Sequence, residues 1–377
     1  MSDIKFQVHD MDIPEEPLAL SVLTGFLGSG KTTLLKQLLQ HPEMDETAVI
    51  VNEFGEIGLD HLLVESSQED IVLMNSGCLC CTVRGDLVET IRKLYKKRLI
   101  KEVPAFKRLV IETTGLADPA PILQTLMTDP FLSERFRLDG VITTVDAVNG
   151  NSTLDNHPES VKQVAVADRL LITKTDMTEG KRDPDLLHRI KTLNPAAMIQ
   201  EVSFGNVEPA VLFNAGLYNP ETKSLDVQKW LKAEAFEETS HGHDHSHSHS
   251  HSHSHSHGHG HDTNHHHDVN RHDDKIHAFC LIHDRPIDWD QMNSWVDMLI
   301  TLYGNNILRI KGILNIEGDQ NPVVIHGVQH VFHPPVMLEG WPDEDHRSKL
   351  VFIVRDLKRD MFDETFRAFI KESADLH

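Results

Sequence analysis

The stretch GFLGSGKT, Gly25–Thr32, stands between an apolar run, LALSVLT, and a run with helical spacing, KTTLLKQLLQ. Few segments of eight residues restrict a fold as tightly. Its three glycines deny the stretch a regular element, and a strand entering with a helix leaving obliges the chain to turn within it. The helix N-terminus then aims bare backbone amides at the turn, which makes a seat for phosphate. In that seat Gly25, Gly28, Ser29 and Gly30 wrap the anion, Lys31 reaches the outer phosphates as the catalytic cation, the Thr32 hydroxyl ligates Mg2+, and Thr33 continues the first turn.

The surrounding residues repeat the same unit. Apolar runs alternate with helical patterns in TAVIV, DIVLM then DLVETIRKLYKKR, RLVIE then PILQTLM, GVITTV then SVKQVAVA, RLLIT then DLLHRIKTL, and AMIQEV. Apolar strands between amphipathic helices predict an α/β fold, a mostly parallel sheet with helices on both faces. Ligands of such sheets bind at the carboxyl ends of the strands.

A change of composition divides the chain. Ser240–Asp274 holds fifteen of the 27 histidines and no apolar residue but Val269, too little apolar surface to offset its ordering entropy. It reads as a disordered linker over 240–274, behind a tail at 1–16 and a P-loop domain at 17–239. The runs KIHAFCLI, NILRIKGILNI, NPVVIHGV, QHVFHP and KLVFIV, with helical patterns near Trp289–Leu302 and Asp360–Ser373, predict a smaller α+β domain with an antiparallel sheet over 275–377.

Three further loops carry chemistry. In RLVIETTGLADP, Glu112 ends a strand where a carboxylate can hold Mg2+ through water, and Gly115 leaves a bare amide for a γ-phosphate. In LLITKTD, Lys174 and Asp176 are placed as in the guanine-reading NKxD element of GTPases: the carboxylate accepts the N1 and N2 hydrogens of the base, and the lysine stem lies along the ring. Thr173 takes the asparagine position there, with part of the amide's hydrogen-bonding capacity. The pattern favours GTP over ATP. NEFGEIGLDH places Glu53 and Glu56 after the second strand beside Gly55 and Gly58, which allow movement, where they can share the Mg2+ shell or position water, or form an exposed acidic loop.

Three of the four cysteines, Cys78, Cys80 and Cys81, fall within NSGCLCC. Cys78 and Cys80 can project to one side of an extended segment, with Cys81 brought round by a turn. Three thiolates suit zinc, cobalt(II) or copper(I) and leave a tetrahedral site one ligand short. A redox thiol pair and packed turn cysteines are the alternatives. Cys280, in AFCLI, reads as a core residue. The alternating His243, His245, His247, His249, His251, His253, His255 and His257 present imidazoles that bind such ions loosely, an auxiliary arm that collects metal.

Bulk properties exclude several classes. A formal charge of −22 disfavours nucleic acid as a partner. No apolar run reaches the length of about 18 residues that a membrane span requires, and the acidic start lacks the parts of a signal peptide, so a cytoplasmic protein is expected.

The motifs TGFLGSGKTT, VNEFGEIGLD, NSGCLCC, ETTGLADP and TKTD, in this order and with LRIKGIL near the end, resemble the CobW-like branch of the P-loop GTPases over nearly the whole chain. The resemblance implies a GTP-hydrolysing metallochaperone using GTP and Mg2+. It also implies Zn2+ or Co2+ as cargo at the CxCC cysteines, a metal-requiring client protein, and metal affinity that depends on the nucleotide. A homodimer formed in response to nucleotide or metal is a further expectation. A metal buffer with weak GTPase activity and a P-loop kinase acting on a small molecule are the competing readings.

Overall fold

The structure is a computed structural model that describes residue 14 and residues 16–51, 71–73, 79–82, 86–178, 181–213 and 275–370, with 71–73 and 79–82 described as backbone. The nucleotide half is one sheet in the order β3-β4-β2-β5-β1-β6-β7-β8. Its strands are β1 (Leu18–Gly25), β2 (Thr47–Val51), β3 (Ile71–Leu73), β4 (Leu79–Thr82), β5 (Arg108–Glu112), β6 (Phe136–Asp146), β7 (Arg169–Thr173) and β8 (Met198–Glu201). Every pairing is parallel except the edge pair of β3 with β4.

TAVIV and RLLIT are buried throughout, as strands covered on both faces must be. Alternate residues of β5 feed different layers. Leu109 and Ile111 join Leu20, Ile50, Ile91 and Leu123, whereas Val110 joins Leu34, Leu35, Val49 and Leu171. The covering helices are α1 (Lys31–Leu38), α2 (Leu87–Leu99), α3 (Pro119–Thr128), α4 (Pro130–Arg135), α5 (Gly150–Asn156), α6 (Pro158–Ala165), α7 (Pro184–Leu193) and α8 (Pro209–Leu212). Asp86, Asp118, Asp129 and Asp183 cap α2, α3, α4 and α7 by accepting backbone N–H bonds, and proline opens the last three of these.

The second half forms an antiparallel sheet ordered β12-β11-β10-β14-β9, with β13 pairing β11. Its elements are β9 (Ile276–His283), α9 (Trp289–Tyr303), β10 (Ile307–Leu314), β11 (Val323–Val328), β12 (Val331–Phe332), β13 (Val336–Met337), β14 (Ser348–Arg355) and α10 (Arg359–Phe369). Helices α9 and α10 cover one face, where Trp295 meets Phe352 and Phe366 edge-on. The opposite face is not left to solvent. Ala278, Cys280, Leu308, Ile313, Val324, Val351 and Ile353 pack in one cluster with Val161, Val164 and Ala165 of α6 and Leu186 and Ile190 of α7. Cys280 is the core residue its surroundings predicted, and burial pushes its thiol up to about 11.

A charged knot sits inside this shared core. Asp168, 6% exposed, lies just before β7. It accepts bonds from Val141 N (2.9 Å), from Lys311 Nζ (2.7 Å) and from Arg309, which also donates to Val166 O. Arg309 and Lys311 of RIKG thus face the nucleotide half. Burial alone would raise the Asp168 carboxyl, and the Arg309 and Lys311 charges outweigh it, holding it well below the usual carboxylate range. His326 lies 3.1 Å from Arg309, and its ring centroid is 4.9 Å from that of His333. Burial and the neighbouring Arg309 charge hold His326 well below the imidazole range and His333 down to about 4, against the pull of Asp168.

The sign of the resulting pH dependence follows from linkage. Between about pH 6.5 and 4 the unfolded chain binds protons that these folded imidazoles do not, so stability is fully present above 6.5 and falls on acidification. Each such histidine contributes a slope of up to about 1.4 kcal/mol per pH unit. Denaturation midpoints measured from pH 7.5 to 4.5 are expected to fall, and His333→Gln to flatten the slope.

Candidate functional site

The P-loop is shaped by what its glycines touch. At Gly25 (φ +138°) a Cβ would lie 2.2 Å from Thr144 Oγ1 and 2.6 Å from Thr144 O, so the loop leaves β1 pressed against β6. Gly30 (φ +91°) is the left-handed N-cap of α1. Lys31 is buried, and its ammonium donates to Gly25 O (2.8 Å) and Phe26 O (3.2 Å), lying across the mouth of the loop. Ser29 Oγ and Thr144 Oγ1 are 2.6 Å apart, and Phe26 stacks on His157 at 4.2 Å. Thr32 and Thr33 follow Lys31 in the first turn of α1, which carries no acid, so its positive end is uncompensated by carboxylates there.

The next strand supplies the acid. β5 lies between β1 and β2, and Glu112 pairs in register with Leu23 and with Val51. Its carboxylate is buried at the end of the sheet from which the P-loop emerges. Thr113 Oγ1 donates to Thr24 Oγ1 at 2.8 Å, and a Cβ on Gly115 would come within 2.6 Å of Leu27 N. Only glycine at 115 allows the two loop backbones to approach this closely. Lys31, Thr32, Glu112 and Gly115 are therefore gathered at one end of the sheet.

On the base side, the structure changes the part assigned to Thr173. It is buried, and its hydroxyl donates to Ser29 O at 2.6 Å with Val145 O at 3.1 Å, so it ties the TKTD segment to the P-loop. Thr173→Val is expected to weaken nucleotide binding about tenfold, the loss of one hydrogen bond to a buried carbonyl, as read by nucleotide titration.

Lys174 has φ 59° and pairs with Asp146 at 2.7 Å. Burial would raise the Asp146 carboxyl; bonds from Lys174 and Asn149 override it and keep the pKa low. Asp176 Oδ1 accepts from Phe204 N at 2.9 Å, and Thr175 Oγ1 lies 2.6 Å from Ser203 Oγ. A Cβ on Gly205 (φ +74°) would meet Thr33 O at 2.9 Å, so this loop seats on the first turn of α1. Asp146 and the Ser203–Asn206 loop escaped the sequence reading. Asp146 ends β6, Ser203 follows β8 closely, and SFGN is a turn signature, which together were the available signal.

Leu79–Thr82 of the cysteine segment is strand, extended as expected for Cys80 but without the turn expected to bring Cys81 round. β4 pairs Cys80 with Val49 of β2 and Val72 of β3, and Cys81 with Ile50 and Ile71. Ladders on both sides hold the backbone extended where a turn was expected. At the usual strand spacing, β4 is about 10 Å from β5, which ends in Glu112, and about 15 Å from β1. Cys78, Glu53, Glu56 and the histidines from His243 to His257 lie outside the described residues. Among the described residues no group of three or more His, Cys, Asp and Glu side chains is placed to hold a metal, and no helix is long and apolar enough to cross a membrane.

Residues 19–201 match the family model "CobW/HypB/UreG, nucleotide-binding domain", and residues 276–370 match "Cobalamin synthesis protein cobW C-terminal domain". The chain is 31% identical over 338 residues to the zinc chaperone YjiA of Escherichia coli, covering 89% of this chain and 94% of that one. It is 32% identical over 210 residues to the zinc-regulated GTPase metalloprotein activator 1 of Schizosaccharomyces pombe, 54% of this chain and 50% of that one. The crystal structure of the Zn(II)-bound YjiA GTPase from E. coli superposes with a TM-score of 0.68 at 29% identity, covering 94% of this chain and all of that one.

Proposed function

Because this chain belongs to the CobW/HypB/UreG family, with a CobW C-terminal domain behind its nucleotide-binding domain, we propose that it is a GTP-hydrolysing zinc chaperone. The observation that carries the reading is the convergence of Lys31, Thr32, Glu112 and Gly115 at the ends of β1 and β5, three and two strands from β4. Its near full-length likeness to a Zn(II)-bound GTPase supports zinc over other cargo.

GTP is the substrate, and water attacks its γ-phosphorus to give GDP and phosphate. The P-loop amides and the Lys31 ammonium bind and orient the phosphates, and Gly115 offers its amide to the γ-phosphate. Asp176 and Lys174 read the guanine, with Asp146 and Ser203–Asn206 as supports. The buried Glu112 beside the start of α1 fits Mg2+, with Thr32 completing the protein's share of its shell. When bound, that ion draws negative charge from the phosphate oxygens. Glu53 and Glu56 are assigned to positioning water near it.

Cys78, Cys80 and Cys81 are assigned as the cargo seat, with Co2+ as a spectroscopic stand-in for zinc and the histidine arm as a collector. The recipient is a metal-requiring client protein. A change of metal affinity by a hundredfold between nucleotide states requires only about 2.7 kcal/mol, within reach of one rearranged loop.

The test is competitive titration of zinc and Co2+ into GTP-loaded and GDP-loaded protein. Thiolate-to-cobalt bands are expected, lost when all three cysteines become serine, with affinities that differ between the two loads. Equal affinities would sink nucleotide gating, and negligible turnover with metal present would favour a buffer.

A further inference from the structure

Helix α6 touches the nucleotide loop with its side chains and the second domain with its own end. Gln163, 1% exposed, donates through Nε2 to Gly115 O (3.3 Å) and Ala117 O (3.0 Å). Its backbone carbonyl accepts from Thr143 Oγ1 at 2.9 Å, one residue before the Thr144 that contacts Ser29. The neighbouring Lys162 reaches Asp118 at 2.6 Å, and Asp118 caps α3. Two adjacent side chains of one short helix thus hold both ends of the Gly115–Asp118 segment. Gln163 Oε1 meets no donor among the described residues, so this side chain is anchored by the loop it holds.

The same helix then runs into the domain contact. Val166, its C-cap, offers its carbonyl to Arg309, and Asp168 takes Arg309 and Lys311. Asn194 Nδ2 fastens the segment by donating to Val164 O, Ala165 O and Ala167 O. Apolar contacts repeat the link, since Val161, Val164 and Ala165 pack with Leu308, Ile313, Val324 and Val351. A displacement of β10 cannot leave α6 where it is, because a close-packed interior has no slack to absorb it.

We propose that Gln163 is a positioning residue for hydrolysis and that the C-terminal domain acts on the nucleotide site through α6. Gln163 fixes the height of the Gly115 amide over the P-loop, and Arg309 fixes where α6 holds Gln163. The inference rests on Gly115 as the γ-phosphate contact and is independent of the cargo ion. Without the two donated bonds the Gly115 loop relaxes from Leu27, and the transition state loses a donor that GDP never used.

The experiment is a double-mutant cycle on kcat with Gln163→Met and Arg309→Lys in the full chain, with GDP affinity and thermal midpoint measured alongside. Gln163→Met is expected to lower kcat roughly 30-fold, the scale of a small misplacement of a reacting group, with GDP affinity and melting near wild type. Arg309→Lys, which keeps the charge but not the fork between Val166 O and Asp168, is expected to lower kcat a few-fold, and the double variant to be no slower than Gln163→Met.

Wild-type turnover in Gln163→Met, a parallel loss of GDP affinity and melting, or additive effects in the cycle would each overturn the proposal. Should Gln163→Met fail to fold, Lys162→Met takes its place in the cycle, where unchanged kcat or additivity counts against it. Gly115→Ala separates the premise from the inference. If that variant hydrolyses GTP normally, the γ-phosphate reading falls first; if it is inactive while Gln163→Met is not, only the relay is lost.

Discussion

Asp168→Ala is expected to destabilise the whole chain by about 3–5 kcal/mol, because it leaves the Arg309 and Lys311 charges buried without their counterion. In a chain of this size that corresponds to a fall of roughly 5 °C in the thermal midpoint. Both halves are expected to melt together, since α6, α7, β10 and β14 contribute to one apolar cluster. Calorimetry checks both points; a separate early transition for either half would contradict the shared core. The complementary variant is informative as well. Changing Asp168, Arg309 and Lys311 together to apolar residues of similar volume is expected to restore most of the loss, since an absent ion pair costs far less than a broken one.

Gly25→Ala is expected to cost at least a hundredfold in GTP affinity, about 2.7 kcal/mol. Two causes act together: φ +138° is strained for any residue with a Cβ, and that Cβ would meet the Thr144 hydroxyl at 2.2 Å and the Thr144 backbone at 2.6 Å. The loop must move off β6, carrying Lys31 and Ser29 with it. Gly28→Ala is the control within the same loop. It has φ +70°, and a methyl group there would meet no atom within 4 Å, so only strain of about 1–2 kcal/mol applies, close to tenfold in affinity. Titration of both variants separates steric from conformational cost. Equal losses would show that strain alone governs the loop.

These two sites differ in how far the sequence reveals them. GFLGSGKT is legible because spacing alone specifies strand, glycine turn, lysine and helix, and each local preference agrees with the fold. Glu112 and Gly115 could be read because they follow an apolar run that can only be a buried strand. The parallel sheet and the antiparallel second domain follow from runs such as RLVIE, RLLIT and KLVFIV. Asp146 and Ser203–Asn206 were less legible, since their partners, Lys174, Asp176 and Thr33, come from other loops.

The cysteines show the opposite error. The extended segment read for Cys78 and Cys80 was expected to turn so as to bring Cys81 round. Ladder bonds from β2 and β3 make Leu79–Thr82 a strand. Pairing with β2 and β3 keeps Cys81 in the strand, and no reading of so short a stretch contains those partners.

By itself the sequence determined the strand–glycine turn–helix of GFLGSGKT and the α/β and α+β division, because each depends on residue type at short spacing. Only the tertiary structure decided that Thr173 braces the P-loop, that RIKG turns toward the nucleotide half, and that α6 lies between Gly115 and Arg309. These are meetings of residues about 140 positions apart, such as Thr173 with Ser29 and Arg309 with Asp168. Hydrogen bonds and burial select such pairs only after the chain has closed on itself, since the entropy of closing so long a loop leaves no local trace.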